Sequence, residues 1–115
     1  MREVSYRPRA KFDLESMAIY LGEVCRNPTA ARSTYTALVE AVKRLAEMPT
    51  LGRPFIDETL TKRDYRSWLV GSYRIFYSFD ESSLTVWRVI HNRQEIDDYA
   101  FVEWREDNDG ERDGE

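Results

Sequence analysis

His91 is the single histidine of a 115-residue chain. Arg66, Arg74 and Arg88 precede it, Arg93 follows it closely, and Tyr99 comes shortly after. Guanidinium groups stabilise charge that develops on a phosphate, and a histidine or tyrosine can carry a proton to or from a reacting oxygen. Together these side chains suit metal-free RNA cleavage, in which a 2′-hydroxyl attacks the neighbouring phosphate. The same arginines are scaffold instead if they pair with Asp64, Asp97 and Asp98. The sequence holds no glycine-rich phosphate loop, no metal-spaced histidine–cysteine set and no nucleophile motif, so no cofactor and no metal is expected.

The elements that must position these residues are strands. From Tyr73 to Phe79, and again from Leu84 to His91, aromatic and β-branched residues alternate with others around a polar break, Asp80 to Ser83. Such patterning predicts a β-hairpin. Tyr65 to Val70 alternates as well, and Gly71-Ser72 is a plausible two-residue turn. The register then sets Val70 opposite Tyr73, Leu69 opposite Arg74 and Trp68 opposite Ile75. One face carries Arg66, Trp68, Val70, Tyr73, Ile75, Tyr77, Phe79, Leu84, Val86, Arg88 and Ile90, and should pack on helices. The other carries Tyr65, Ser67, Leu69, Arg74, Phe76, Ser78, Thr85, Trp87, Val89 and His91, and should be partly open. A single bulge would swap these assignments downstream.

Ahead of the strands lies a helical hairpin. Val4 and Tyr6 alternate and fit a short first strand. Pro8 suits the first turn of a helix whose face is Leu14, Met17, Ala18, Leu21 and Cys25. Gly22 weakens that helix by about 1 kcal/mol relative to alanine, so its end should fray. Asn27-Pro28 is a break and a start signal. Ala31, Tyr35, Leu38, Val42 and Leu45 then form a narrow apolar seam, which Pro49 ends. Thr50 to Asp64 has no clear period and reads as a long loop with a turn at Leu51-Gly52-Arg53-Pro54. After Arg93, the residues Ile96, Tyr99 and Ala100, with Trp104 at the same spacing, fit a short helix, with Asn92 and Glu95 as a capping pair. The order β-α-α-β-β-β plus a short helix, an antiparallel meander with a helical hairpin on one face, is an α+β architecture.

Composition sets the limits. A chain of this length is one domain with a modest core. No apolar run is long enough to span a membrane, and Met1 to Arg9 lacks the apolar core of a signal peptide. Cys25 has no second thiol to pair with, which fits a reducing cytoplasm, and reads as a small apolar filler. Residues 1–102 hold fifteen Lys/Arg and fourteen Asp/Glu, a balance of +1. Residues 103–115 hold seven acids and two arginines, a balance of −5. The expected division is therefore a folded domain over 1–102 and an acidic, solvated tail over 103–115. The functional alternative is that the tail competes with a polyanion for a basic face.

The order of elements and several motifs together resemble the RelE/ParE superfamily of toxins from bacterial type II toxin–antitoxin systems. The resemblance spans residues 4–99. It rests on Asn27-Pro28 and Ala30-Ala31 in the hairpin, Leu45-x-x-x-Pro49-x-x-Gly52-Arg53-Pro54, Tyr73-Arg74-Ile75-x-Tyr77, and Arg88-Val89-x-His91-x-Arg93. It implies a hairpin packed on a curled antiparallel sheet, and a cognate antitoxin protein that wraps and neutralises the toxin.

The superfamily divides into two mechanisms. ParE-like members inhibit DNA gyrase without chemistry of their own, and RelE-like members cut mRNA on the ribosome. The Gly-Arg-Pro turn and the Arg-Val-x-His-x-Arg ending resemble the ParE branch. Arg66, Arg74, Arg93 and Tyr99 match positions that the RelE branch uses, with His91 or Tyr99 as proton carrier. Trp68 stands where that branch would carry a second lysine, and a body charge of +1 is low for a protein that must hold onto RNA phosphates. The reading that follows is a ParE-like gyrase inhibitor. The alternatives are a ribosome-dependent mRNA endonuclease, or an inactive relative that only binds its antitoxin.

Overall fold

Two helices lie on one face of a five-stranded mixed sheet. The computed structural model describes residues 2–55 and 65–92. In chain order these form β1 (Glu3–Tyr6), α1 (Pro8–Ile19), α2 (Pro28–Glu47), β2 (Arg53–Phe55), β3 (Tyr65–Val70), β4 (Tyr73–Phe79) and β5 (Ser83–His91). The sheet runs β1-β5-β4-β3-β2. The predicted α+β class holds, with two additions. β1 joins β5 in parallel, so the sheet is not wholly antiparallel. Arg53–Phe55, inside the expected long loop, is a short strand antiparallel to β3. The expected short helix beyond Arg93 and the acidic tail lie outside the described residues.

The helices form where the sequence signals them. α2 starts as predicted, with the Asn27 side chain accepting from the Ala30 N–H at 3.0 Å and Pro28 in the first turn. That cap satisfies one of the free amides of the helix end and contributes about 1 kcal/mol. α1 also opens on proline, but its end differs from expectation. Instead of fraying, Tyr20–Val24 widens into a π-helical turn, in which the Cys25 N–H donates to the Tyr20 carbonyl at 2.9 Å. Arg26, at φ 53°, then reverses the chain into α2. The wider turn rotates Cys25 off the helix seam. It is exposed, not the buried filler expected of it.

The core lies between the helices and the first sheet face. Leu14, Met17, Leu38, Val42 and Leu45 meet Ile75, Tyr77, Leu84, Val86 and Val89. Full burial of such a side chain contributes about 1.5–3 kcal/mol. Tyr35, the seam's one aromatic member, is half-exposed.

Register decides which side chains can meet. β3 and β4 pair as predicted, Val70 with Tyr73, Leu69 with Arg74 and Trp68 with Ile75. β4 and β5 pair as predicted only as far as Tyr77 with Val86. There a bulge intervenes, and the next pair is Phe76 with Arg88. Trp87 is the extra residue, and everything after it changes face. Val89 comes opposite Ile75 and His91 opposite Tyr73, on the helix side, whereas Ile90 comes opposite Arg74.

The second face is partly open at Leu69 and Arg74, as expected, but closed over most of the rest of its described length. Tyr65, Ser67, Phe76, Ser78 and Trp87 are buried on it. Trp87 Nε1 donates to Ser78 Oγ at 2.9 Å, and the Tyr65 and Trp87 rings meet edge to face at 5.8 Å.

Candidate functional site

The Pro49–Arg53 turn and strand β4 are locked together at Gly52. The Gly52 N–H donates to the Tyr77 hydroxyl at 2.9 Å, and that hydroxyl donates to the Pro49 carbonyl at 2.6 Å. Arg66 Nη1 donates to the Gly52 carbonyl at 2.9 Å. A Cβ at Gly52 would collide with the Tyr77 hydroxyl and lie 2.8 Å from the Ser67 carbonyl, so only glycine fits. Burial pushes the Tyr77 phenol above its ordinary value, against the opposing pull of the Gly52 hydrogen bond and the Arg66 charge. The Pro49-x-x-Gly52-Arg53-Pro54 and Tyr73-Arg74-Ile75-x-Tyr77 motifs are thus two halves of one contact.

That lock fixes a groove around the edge of β3. Leu51, Arg53, Ser67, Trp68, Leu69 and Arg74 line a space of about 370 Å³. Trp68 and Leu69 also line a wider space of about 600 Å³, whose other wall is α2 at Ala37, Glu40, Ala41, Lys43, Arg44 and Glu47. Leu69, half-exposed, is the ridge between them. β2 pairs only with Tyr65 to Ser67, so among the described residues no strand lies beside the outer edge of β3 along Trp68 to Val70. An unpaired edge next to apolar side chains is a template for an incoming segment. Arg53 is exposed, Arg74 is half-buried, and neither guanidinium has a side-chain partner among the described residues.

Among the described residues, Arg66, Arg88 and His91 do not gather around Arg74 at this groove. Arg66 is tied to the Gly52 carbonyl and lies over the Phe79 ring at 5.8 Å. Arg88 is held by Asp13 through Nε at 2.8 Å and Nη2 at 3.1 Å, and Asp13 also accepts from the Val89 N–H at 2.9 Å. His91 packs edge to face on Tyr73 at 5.1 Å, away from Arg74 because of the bulge. Arg93, Tyr99, Asp64, Asp97 and Asp98 lie outside the described residues. Of the expected site residues that are described, Arg74 alone lines the groove, and its companions there are Arg53, part of the Leu51–Pro54 turn signal, and Leu69, an ordinary strand position. Among the described residues no group of three or more His, Cys, Asp or Glu side chains could hold a metal ion. No described helix is long and apolar enough to cross a membrane.

The arrangement suits binding: an apolar edge with two guanidinium groups at one end. Comparison with known proteins gives a consistent result. The family model described as "ParE toxin of type II toxin-antitoxin system, parDE" matches residues 4–96. Among solved structures, a chain of the "Chromosomal ParDE TA system from P. aeruginosa" superposes with a TM-score of 0.64 over 79% of this chain and 96% of that one. At 17% identity, this likeness is one of fold. None of the curated proteins compared matches the chain.

Proposed function

The chain belongs to the ParE family of toxins from type II toxin–antitoxin systems, and from that premise we propose that it arrests growth by binding DNA gyrase rather than by cutting RNA. A cognate antitoxin silences it by laying an amphipathic or extended segment along the groove at Trp68, Leu69 and Val70.

The bulge at Trp87 supports this reading, because it takes His91, one of the two candidate proton carriers, away from Arg74. RNA cleavage needs a proton carrier within hydrogen-bond reach of the reacting oxygen, beside the group that stabilises the phosphate. Arg74 and His91 occupy opposite faces of the sheet, and Arg66 and Arg88 are committed to Gly52 and Asp13. A surface that works by binding needs no such convergence. The groove supports the antitoxin half of the reading, since it offers both backbone edge and side-chain pockets.

Purified chain, added to DNA gyrase with relaxed plasmid, should abolish supercoiling, and prior mixing with the product of a neighbouring short reading frame should restore it. Translated mRNA should stay intact. Codon-phased cuts on ribosomes, lost in Arg74→Ala, would replace this reading with the endonuclease one.

A further inference from the structure

We infer that the basic end of the β3 groove is also the seat of a segment of this same chain, residues 101–109. Its chemistry matches the groove in order. Phe101, Val102 and Trp104 are apolar, and Glu103, Glu106, Asp107 and Asp109 set four carboxylates against the single Arg105. The groove offers Leu51, Trp68 and Leu69 to the apolar part, and Arg53 and Arg74 to the acids. Among the described residues no carboxylate lines this end, whereas on the α2 side Glu40 and Glu47 stand beside Lys43 and Arg44. An acidic occupant is therefore directed to the Arg53–Arg74 end.

The reach is sufficient. The described chain leaves the sheet at Asn92, whose N–H donates to the Ser72 carbonyl at 2.5 Å. Strands β4, β3 and β2 follow in order from there, each about 4.8 Å from the last, so Arg53 lies about 15 Å across the sheet. Arg53 also lies three to four residues back along the strands, which makes the separation about 20 Å, and the residues between Asn92 and Phe101 span up to about 30 Å when extended.

Such a contact covers the unpaired edge of β3 and the exposed Leu69, the features that invite unwanted pairing. It also makes the segment a competitor for the antitoxin, a consequence that rests on the groove being the antitoxin site. If the segment fills the groove about nine tenths of the time, the apparent antitoxin affinity falls about tenfold.

The test uses the full chain and a variant carrying Glu103→Gln, Glu106→Gln, Asp107→Asn and Asp109→Asn. The NMR signals of the Arg53 and Arg74 Nε–H groups and of the Leu69 amide should differ between the two chains. About 0.5 M salt should move the wild-type signals toward those of the variant, because it screens the ion pairs. A synthetic peptide of residues 101–109 should move the variant's signals back, and should fail to do so once Arg53→Gln and Arg74→Gln are added. Identical signals in wild type and variant overturn the inference.

Antitoxin titration tests the competition separately, with about tenfold tighter binding by the variant as the expected result. Equal affinities overturn the competition. If neither chain binds antitoxin, the groove reading itself fails, and the NMR signals alone decide the intramolecular contact.

Discussion

Tyr77 and Gly52 are joined by a buried hydrogen bond of 2.9 Å across 25 positions of sequence. The same hydroxyl holds Pro49, so one oxygen closes a whole turn. Tyr77→Phe leaves a buried N–H and a buried carbonyl unpaired and should cost about 1–3 kcal/mol in urea unfolding. A change within about 0.5 kcal/mol would mean that water replaces the phenol. Gly52→Ala should cost more, since its Cβ meets the Ser67 backbone as well as a side chain.

Asp13 holds down the part of β5 that β1 does not reach. β1 stops pairing at Val86, and Asp13 takes the Val89 N–H and the Arg88 guanidinium just beyond. Both side chains are 12% exposed, so the pair is largely desolvated. Asp13→Ala strands a buried cation and should cost about 3–5 kcal/mol, read from the shift in melting temperature. The exposed Lys43–Glu40 pair is the contrast, and Lys43→Ala should change stability by less than about 0.5 kcal/mol.

Acid should loosen the β4–β5 turn through Asp80. Its carboxylate accepts from the Ser82 and Ser83 N–H groups and from the Ser83 hydroxyl, which holds its pKa below the ordinary 3.8. A depressed carboxylate favours the fold above its unfolded-state pKa and loses that contribution as pH falls through the folded value. The window therefore lies at and below 3.8. NMR titration should give Asp80 a midpoint below that of an unstructured peptide, and Asp80→Asn should remove this part of the acid sensitivity. A midpoint at the peptide value would mean that the turn's hydrogen bonds do not persist in solution.

Leu69 separates binding from folding. Half-exposed on the groove ridge, it can become glutamate with a stability change of about 0.5 kcal/mol or less. If the antitoxin segment crosses this ridge, Leu69→Glu should weaken the complex at least about tenfold, or about 1.4 kcal/mol. Equal affinity by calorimetry would move the partner to another face.

What the sequence makes legible is governed by local rules. The β3–β4 register follows from Gly71, which takes φ 57° in the turn, and alternation carries it along both strands. The Asn27 cap and the α2 seam are equally local. The bulge is not. Trp87 sits in unbroken alternation, and nothing about its type marks it as the extra residue. Only tertiary partners show it, with β1 ending at Val86 and Asp13 claiming Val89. That one residue removed His91 from the expected site. Cys25 departs from its expected place for a related reason: the turn before it is π-helical, so a 3.6-residue period does not hold there. Arg53 escaped notice because a turn composition does not say which way its side chain faces. Family resemblance supplied the function that the constellation around His91 did not.

Val4 pairs with Leu84, so a strand made at the start of synthesis waits for one made eighty positions later. At about 5–20 residues per second, the wait is roughly 4–16 s. Ala37 to Val70, which supply both walls of the wider groove, leave the ribosome before β5 does. If the groove seats the antitoxin as proposed, an antitoxin already in the cell would meet that surface on a nascent chain whose sheet is still open. Neutralisation would then begin during translation, before there is a finished toxin to restrain.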